Sequence, residues 1–323
     1  MPNTRDRAVL GANRAHELEF ELASRIARLI GAAERQETAI PCLTLHQRTA
    51  PTAACHVTYE PSVIVVAQGR KEVQIGKESL TYDSSRYLLT SVDLPTVTRV
   101  SEASEGAPCL AVALKLEISI VREFVSREKF PVSGAAADHP AMSICPVTAE
   151  FLSALCRLLD LLSNPEDIPF LSGLLEREII YRILRGPGGA RLRAIATLGD
   201  QSHRTAKAIT WIKANYAKPL RVDELAAIAG MAVSTLHHNF RALTAMSPLQ
   251  YQKQIRLQAA RARMLADDVD AATVAFEVGY ESASQFNREY SRLFGQPPIR
   301  DVRNLRSPDT PRLESLATVQ PSV

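Results

Sequence analysis

The chain has 323 residues, of which 46% are hydrophobic and 23% charged. This length predicts about two domains, and the ordinary globular composition excludes a chain that is disordered throughout. No apolar run approaches the roughly 18 residues of a membrane span, and the charged N-terminus lacks the apolar core of a signal peptide. Five cysteines in such a chain predict reduced thiols rather than a disulfide framework. We therefore expect a cytosolic protein.

The net charge of +3 conceals an asymmetry along the chain. Residues 1–200 carry 22 Lys and Arg against 24 Asp and Glu, whereas residues 201–306 carry 15 against nine. A basic half beside a nearly neutral half indicates that one module binds a polyanion and the other does not. Taken alone, a modest positive balance also fits an ordinary solvated surface.

The first half of the chain predicts a helix followed by a β-rich domain. We expect residues 1–15 to be disordered and residues 16–35 to form a helix, because apolar residues recur there at helical spacing. Seven short β-branched runs follow, separated by Pro, Gly and Asp, and their spacing predicts an antiparallel sandwich or barrel. The runs are Cys42–His46, Ser62–Ala67, Lys71–Ile75, Ser79–Tyr82, Tyr87–Thr90, Thr96–Val100 and Leu110–Leu116.

Helical periodicity returns after the strands. It predicts helices over Ile118–Arg127, Thr148–Leu162 and Phe170–Leu184. The apolar stripes on the last two are wide enough to bury one face on the sheet and another on a second subunit, so we expect a homodimer. A breaker cluster of glycines and proline then precedes a predicted linker over 191–200. The β-rich domain for effector binding and dimerisation is thus predicted over 36–190.

After residue 200 the sequence predicts helices only, and one small pattern occurs twice. Each copy has a short apolar-faced helix, a glycine turn and a second helix that we expect a serine to cap, which is typical of a helix-turn-helix. The copies are Val222–Ile228 with Ser234–Leu243, and Ala272–Val278 with Ser282–Phe294. Between them Pro248–Ala266 predicts one helix of about 28 Å, which can hold two recognition helices about one DNA turn apart. The DNA-binding domain is predicted over 201–306, followed by a disordered tail over 307–323.

The second helix of each pair has an apolar face that we expect to be buried and an outward polar face that we expect to contact DNA. Arg offers two hydrogen bonds that match guanine and Asn offers two that match adenine, whereas His and Ser can contact bases or phosphates. The candidate DNA-binding residues on the outward faces are Ser234, His237, His238, Arg241, Ser284, Asn287, Arg288 and Ser291. Lys253, Arg256, Arg261 and Arg263 on the linking helix are candidate phosphate or structural contacts, with Lys253 the one assigned to DNA.

A set of specific residues surrounds both turns. Around the second turn they are Val278-Gly279-Tyr280-Glu281-Ser282, Gln285-Phe286, Arg288-Glu289-Tyr290, Leu293-Phe294-Gly295 and Pro297-Pro298. Around the first they are Gly230-Met231, Ser234, Leu236, Phe240, Ser247-Pro248 and Tyr251. In these residues the segment 204–305 resembles the DNA-binding domain of AraC/XylS-family transcription regulators. It departs from the family after Pro298, where Ile299-Arg300-Asp301-Val302-Arg303 alters the usual Tyr-Arg ending.

Three stretches of the first half, Tyr59-Glu60-Pro61-Ser62, 65–71 and 87–95, resemble one N-terminal subfamily of the same regulators. The resemblance implies an α+β chain, with an N-terminal cupin-like antiparallel β domain with helices and a C-terminal all-α domain with two helix-turn-helix motifs. It implies double-stranded DNA and a small-molecule effector as partners, with RNA polymerase as a further candidate and no membrane. From strand alternation, the residues expected to line the effector pocket are Val63, Val65, Leu88 and Leu110.

Other chemistries have weaker support in the sequence. His46 and His56 stand isolated among apolar strand residues, so we expect no metal and no other cofactor. The chain lacks the GxGxxG, GxxxxGK and GxSxG motifs, which disfavours an enzyme. Two alternatives stay open: a small-molecule-binding cupin-type protein with non-specific DNA affinity, and a regulator in which Cys55 or Cys109 senses electrophiles or oxidants.

Overall fold

The computed structural model describes residues 4–127, 140–267 and 269–306. The chain begins with a long helix, α1 (Thr4–Ile30). The disorder expected over residues 1–15 is therefore wrong from Thr4 onward, and the helix ends earlier than residue 35. The tail that was predicted to be disordered, 307–323, lies outside the described residues.

Two antiparallel sheets form the N-terminal domain. Within the described residues the strands are β1 (Arg35–Glu37), β2 (Leu43–Arg48), β3 (Cys55–Tyr59), β4 (Ser62–Gln68), β5 (Arg70–Ile75), β6 (Glu78–Tyr82), β7 (Arg86–Thr90), β8 (Leu94–Glu102), β9 (Cys109–Lys115) and β10 (Met142–Pro146). One sheet has the order β1-β2-β9-β4-β7-β10 and the other β3-β8-β5-β6. All seven predicted strands are confirmed, and β1, β3 and β10 are additional.

Both faces of the six-stranded sheet are buried. One face packs against α1, α2 (Ile118–Arg127), α3 (Ala149–Asp160) and α4 (Ile168–Arg185). The opposite face packs against the four-stranded sheet. Two short 3₁₀ turns, Leu161–Ser163 and Pro165–Asp167, connect α3 to α4. The helices predicted over this part of the chain are confirmed to within a few residues.

The predicted linker at 191–200 is not an extended connection. Its first half completes a further helix, α5 (Gly189–Ala196), in which Leu192, Ile195 and even Arg191 are buried. The Arg191 guanidinium donates to the hydroxyl of Ser202, at a distance of 2.8 Å from Nη1 to Oγ. The N-terminal domain is therefore joined to the next helix by packed structure rather than by a free tether.

The C-terminal domain is all α, as predicted. Its helices are α6 (Gln201–Ala214), α7 (Val222–Ala229), α8 (Val233–Thr244), α9 (Pro248–Ala266), α10 (Ala271–Glu277), α11 (Ala283–Phe294) and α12 (Pro298–Arg306). The long helix α9 has the predicted bounds because Pro248 occupies its first turn and Ser247 with Gln250 forms a capping box. Within the described residues, no helix combines the length and hydrophobicity needed to cross a membrane.

Candidate nucleic-acid interface

The first helix-turn-helix is formed by α7 and α8. Gly230 ends α7 in the left-handed region at φ +67°, and the Met231 N–H donates to the Ala226 carbonyl at 2.9 Å. Helix α8 then begins after Ala232, which has no side chain able to cap it. The prediction that Ser234 caps this helix is wrong, because Ser234 already lies in its first turn.

In the second helix-turn-helix, α10 and α11 each have a side chain that caps the N-terminus of the helix. The Asp270 carboxylate accepts hydrogen bonds from the Ala272 and Thr273 N–H groups, and the Ser282 hydroxyl accepts one from the Gln285 N–H, as predicted. Gly279 turns the chain at φ +90°, and a Cβ there would overlap the Ala217 carbonyl oxygen. Only glycine allows this close approach of the turn to the segment after α6.

The outward faces of α8 and α11 carry the residues predicted to read DNA. The exposed ones are Ser234, His237, His238, Arg241, Ser284, Asn287 and Arg288. Ser291 is half-buried and its hydroxyl donates to the Asn287 carbonyl at 2.8 Å, so it is the least available of the set. On the opposite faces Leu236, Phe240, Phe286 and Tyr290 are buried, which fixes the orientation of both helices.

Helix α9 holds the two units together. Tyr251 and Ile255 in its first half are buried with the core of the first unit, whereas Leu257 and Met264 are buried with the core of the second. Because one continuous helix contributes to both cores, the two recognition helices are parts of one rigid arrangement.

Most cations of α9 have structural partners. Arg256 Nε donates to the Tyr216 carbonyl at 2.6 Å, and Arg263 pairs with the carboxylates of Asp267 and Glu277. Arg261 forms a bidentate ion pair with Asp301, in which Nε and Nη2 donate to the two carboxylate oxygens at 2.8 and 3.0 Å. Lys253 Nζ lies 2.9 Å from a Glu289 oxygen but is about half exposed, so it can also reach a phosphate.

Asp301 lies in the segment that departs from the family pattern after Pro298. It is buried, and it accepts a hydrogen bond from the Tyr290 hydroxyl at 2.7 Å in addition to its pair with Arg261. The altered ending thus joins α9, α11 and α12, which is a structural role inside the second unit.

Positive charge is concentrated on α9. Residues 225–266 contain five Lys and Arg and no Asp or Glu, and four of these five cations lie on α9. Both helix-turn-helix units also carry acidic residues, Asp223 and Glu224 on α7 and Glu281 and Glu289 on or beside α11. Arg288 makes no ion pair or hydrogen bond with any of the residues that the structure describes, so its guanidinium is available to a base edge.

A cavity of about 60 Å³ lies between the two sheets of the N-terminal domain. Its walls include His46, Arg48, Cys55, Lys71 and Cys109. None of the residues expected to line the effector pocket contributes to it. Val63, Val65 and Leu110 face the helices on the other side of the six-stranded sheet, and Leu88 packs within the core between the sheets.

The two candidate sensing cysteines, Cys55 and Cys109, both line this cavity and are buried. Burial raises the pKa of both thiols above the ordinary value. Both side chains are therefore in the neutral thiol form at neutral pH, whereas a reactive sensor cysteine requires the thiolate. This environment disfavours the interpretation that either one senses electrophiles.

The contact between the two domains was missed in the sequence. Lys213 of α6 forms hydrogen-bonded ion pairs with Glu60 and Asp93, and the Tyr251 hydroxyl of α9 donates to the Asp93 carbonyl at 2.8 Å. Glu60 and Asp93 belong to the stretches that carried the N-terminal resemblance. Their acidic character was the available signal, since both stand at the ends of apolar strands.

The parts of the chain that the structure describes contain no group of three or more His, Cys, Asp and Glu side chains arranged to hold a metal ion.

Two family models match the chain. One is described as an AraC-type transcriptional regulator N-terminus and matches residues 39–191, and the other is a helix-turn-helix domain that matches residues 225–304. A similar curated protein is the HTH-type transcriptional regulator ArgR of Pseudomonas aeruginosa, 26% identical over 48% of this chain and 47% of the relative. Another is the HTH-type transcriptional activator RhaS of Yersinia pestis, 30% identical over 32% of this chain and 38% of the relative. The matches thus span less than half of each relative.

The solved structures that resemble this chain include ToxT from Vibrio cholerae. One ToxT structure superposes with a TM-score of 0.54 and 10% identity, over 84% of this chain and 98% of that one. A ToxT structure with bound unsaturated fatty acid gives 0.50 and 9%, over 80% and 94%. At these identities the likeness shows the fold alone, and it confirms the predicted α+β class.

Proposed function

The chain belongs to the AraC/XylS family of transcription regulators, with an N-terminal regulatory domain and a C-terminal helix-turn-helix DNA-binding domain, and we propose that it binds a specific DNA site with both recognition helices. The observation that carries the proposal is the pair of exposed polar faces on α8 and α11, held by the single helix α9. They enter successive major grooves on one side of the duplex, about one turn apart. The protein acts in the cytoplasm, where its DNA target lies.

Base reading is assigned to both helices. Arg288 and Asn287 on α11 match a guanine and an adenine edge, and His237, His238 and Arg241 on α8 supply further contacts to bases or phosphates. Ser234 and Ser284 lie near the N-terminus of their helices, where a recognition helix approaches the base edges most closely. Lys253 contributes a phosphate contact, in competition with Glu289.

A homodimer forms through the exposed apolar face of α4. Phe170, Leu171 and Leu174 are 77%, 40% and 64% exposed, and their spacing places them on one stripe of the helix. Contiguous exposed apolar side chains of this kind mark interaction surfaces. Analytical ultracentrifugation tests this assignment: Leu174→Glu should shift the protein to monomer, whereas Leu198→Glu, at an exposed leucine elsewhere, should not. A monomeric wild type would overturn it.

An effector in the N-terminal domain controls the DNA-binding domain. The support is the direct contact of α6 and α9 with the ends of β-strands, through Lys213 and Tyr251. An effector that binds one arrangement of this interface more tightly shifts the population toward it, and DNA affinity changes by the same coupling free energy.

The experiment that tests DNA binding uses the full chain and genomic fragments from around its own gene. Binding is measured at two salt concentrations in the presence of non-specific competitor DNA. A fragment that stays bound supports a sequence-specific regulator. Loss of all binding with competitor would overturn sequence specificity, and it would favour the alternative of a cupin-type protein with non-specific DNA affinity.

Three variants separate base reading from phosphate contact. Arg288→Ala should weaken the DNA-binding free energy by about 1–3 kcal/mol and relax specificity at the one operator position that Arg288 contacts. Lys253→Ala should weaken all sequences alike and reduce the salt slope by about one. Arg86→Ala, an exposed arginine on β7 of the N-terminal domain, is the control and should change neither. Equal relative affinities of Arg288→Ala and wild type across operator variants would contradict the assignment of Arg288.

A further inference from the structure

The cavity between the sheets contains a buried cation without a partner. Lys71 stands at an inward position of β5, between the exposed Arg70 and the half-buried Glu72, and only 4% of its surface is exposed. Among the described residues, the Lys71 ammonium makes no ion pair and no hydrogen bond. A charged group taken out of water without compensation is costly, so a lysine in this position needs an anion to complete it.

A second polar atom in the same cavity is also unsatisfied. His46 of β2 is 7% exposed, and its Nε2 is buried without a hydrogen-bond partner among the residues that the structure describes. Arg48, two residues along the same strand, adds positive charge to the wall. Its guanidinium donates to the Glu34 and Gln47 carbonyls, at 2.9 and 2.8 Å.

The carboxylates close to this wall already have arginine partners. Glu34 lies 3.3 Å from Arg48, and Glu72 lies 2.6 Å from Arg99. Burial and the neighbouring Arg48 lower the pKa of Lys71 to about 8, so the ammonium is still charged at neutral pH. Burial also lowers the pKa of His46, which is therefore neutral and available as a hydrogen-bonding group.

We propose that this cavity binds a small organic monocarboxylate, with Lys71 opposite the carboxylate and His46 Nε2 within the same site. The inference rests on the proposed function, because it names the class of effector that the N-terminal domain takes. The volume of about 60 Å³ is several times the minimum for one water molecule and suits a ligand of a few carbon atoms. Val57, Val100 and Ala111 line the same cavity and provide an apolar wall for a short aliphatic body.

Strand β3 connects this site to the DNA-binding domain. Cys55 and Val57 line the cavity. The alternate residues of the strand face the other way, where the His56 ring packs against the Phe294 ring of α11 at 5.4 Å and the Thr58 hydroxyl contacts the Gln258 amide of α9. A ligand that shifts β3 therefore acts directly on α9 and α11.

The test measures thermal unfolding of the full chain with millimolar propionate, butyrate or lactate. The matched neutral probes are propionamide, butyramide and lactamide, and sodium chloride and sodium phosphate at equal ionic strength control for other anions. At about tenfold excess over Kd, we expect the carboxylates to raise Tm by roughly 2–4 °C. The amides, chloride and phosphate should leave Tm unchanged.

Substitutions at two lysines localise the effect. Lys71→Met has nearly the shape of lysine without the charge and should abolish the carboxylate response, and Lys71→Gln repeats the test in case the first variant does not fold. Lys77→Met removes an exposed lysine from the turn after β5 and should keep the response. A Lys71→Met protein that still responds, amides that stabilise equally, or phosphate that replaces carboxylate would each overturn the proposal.

Failure of this proposal is distinguishable from failure of DNA binding. A wild type that retains its genomic fragment but shows no Tm change with any of the three carboxylates would overturn the ligand class alone. A carboxylate response without specific DNA binding would instead contradict the proposed regulator.

Discussion

The two helix-turn-helix units have the same local design but are held in different ways. In the first unit Phe240, Tyr251 and Leu236 belong to a buried cluster that continues into the core between the two sheets. In the second unit Phe286 and Tyr290 belong to a separate cluster, formed by α9 to α12. The first unit is thus an extension of the regulatory domain, whereas the second depends on α9 for its position.

The contacts at the domain boundary follow the same division. The Ala141 N–H donates to the Leu243 carbonyl of α8 at 3.0 Å, and a Cβ at Gly76 would lie 2.9 Å from the Cβ of Ala245, just after α8. On the second unit, α11 meets the β domain through the ring contact of His56 with Phe294. The regulatory domain thus meets the first recognition helix through a shared core and the second through a narrower contact.

The largest expected effect comes from truncating the central aromatic residue of each unit. Phe240→Ala and Phe286→Ala each remove a fully buried ring and should cost about 3–5 kcal/mol of unfolding free energy. Hydrogen exchange measured by mass spectrometry should show the difference between the units. Phe240→Ala should increase exchange in α7, α8, the first half of α9 and the strands of the four-stranded sheet, whereas Phe286→Ala should increase it only in the second half of α9 and in α10 to α12. The same spread of exchange in both variants would contradict the division into two cores.

The next largest effect is the dependence of folding stability on pH that the buried Lys71 causes. Its pKa is about 8 in the folded protein against 10.5 for an ordinary lysine, so between these values the unfolded chain binds more protons. Folding stability relative to Lys71→Met should therefore rise from pH 8 to pH 10.5, by on the order of 3 kcal/mol. Below pH 8 the variant should be the more stable protein, because it lacks the buried charge that faces His46, Arg48 and Cys109. Denaturant unfolding of both proteins across this range measures the difference, and a flat difference would contradict the uncompensated burial of Lys71.

A smaller effect is expected at the ion pair that joins the domains. Although burial opposes its charge, the carboxylates of Asp93 and Glu60 hold the pKa of Lys213 above the ordinary value. Asp93→Asn should cost about 1–2 kcal/mol, because a partly buried charged hydrogen bond is lost while Glu60 still pairs with the lysine. Asp223→Asn removes the carboxylate of an exposed ion pair with Arg221, which solvent screens, and should lower the unfolding free energy by much less than Asp93→Asn. Equal losses in both variants would show that the Lys213 contact does not stabilise the boundary.

The sequence predicted the C-terminal domain more fully than the N-terminal one, and the reason is physical. The bounds of α9, the buried face of α11 and the cap at Ser282 follow from local periodicity and capping, which depend on residues a few positions apart. The wrong cap prediction in α8 also concerns a local signal. Ala232 precedes the helix and has no side chain that can cap it, so the sequence does not mark the residue at which α8 begins.

The cavity could not be located in this way. Strand alternation separates two faces, but both faces of β4 and β9 are buried, so alternation does not tell which one lines a pocket. Val63, Val65 and Leu110 were assigned to the pocket on that basis and face the helices instead. In β5 the sequence shows that Lys71 shares a face with the apolar residues Val73 and Ile75. Its proximity to His46 does not follow from this pattern, because the two residues belong to different sheets that pack together.

The smallest expected effects on stability come from removing the hydroxyl of Ser282, which caps α11, or of Ser234, which lies in the first turn of α8. Ser282 accepts a hydrogen bond from the Gln285 N–H, so Ser282→Ala should cost about 1 kcal/mol of stability in the second unit. Ser234 makes no capping bond, so Ser234→Ala should change stability by less than about 0.5 kcal/mol. DNA affinity should respond in the opposite order, because the Ser234 hydroxyl is exposed in the first turn of α8 without a capping bond, whereas the Ser282 hydroxyl already accepts from the Gln285 N–H. Unfolding and operator binding of both variants measure the two quantities separately. A Ser234→Ala protein that loses stability but keeps its affinity would mean that the first recognition helix does not approach DNA with this end.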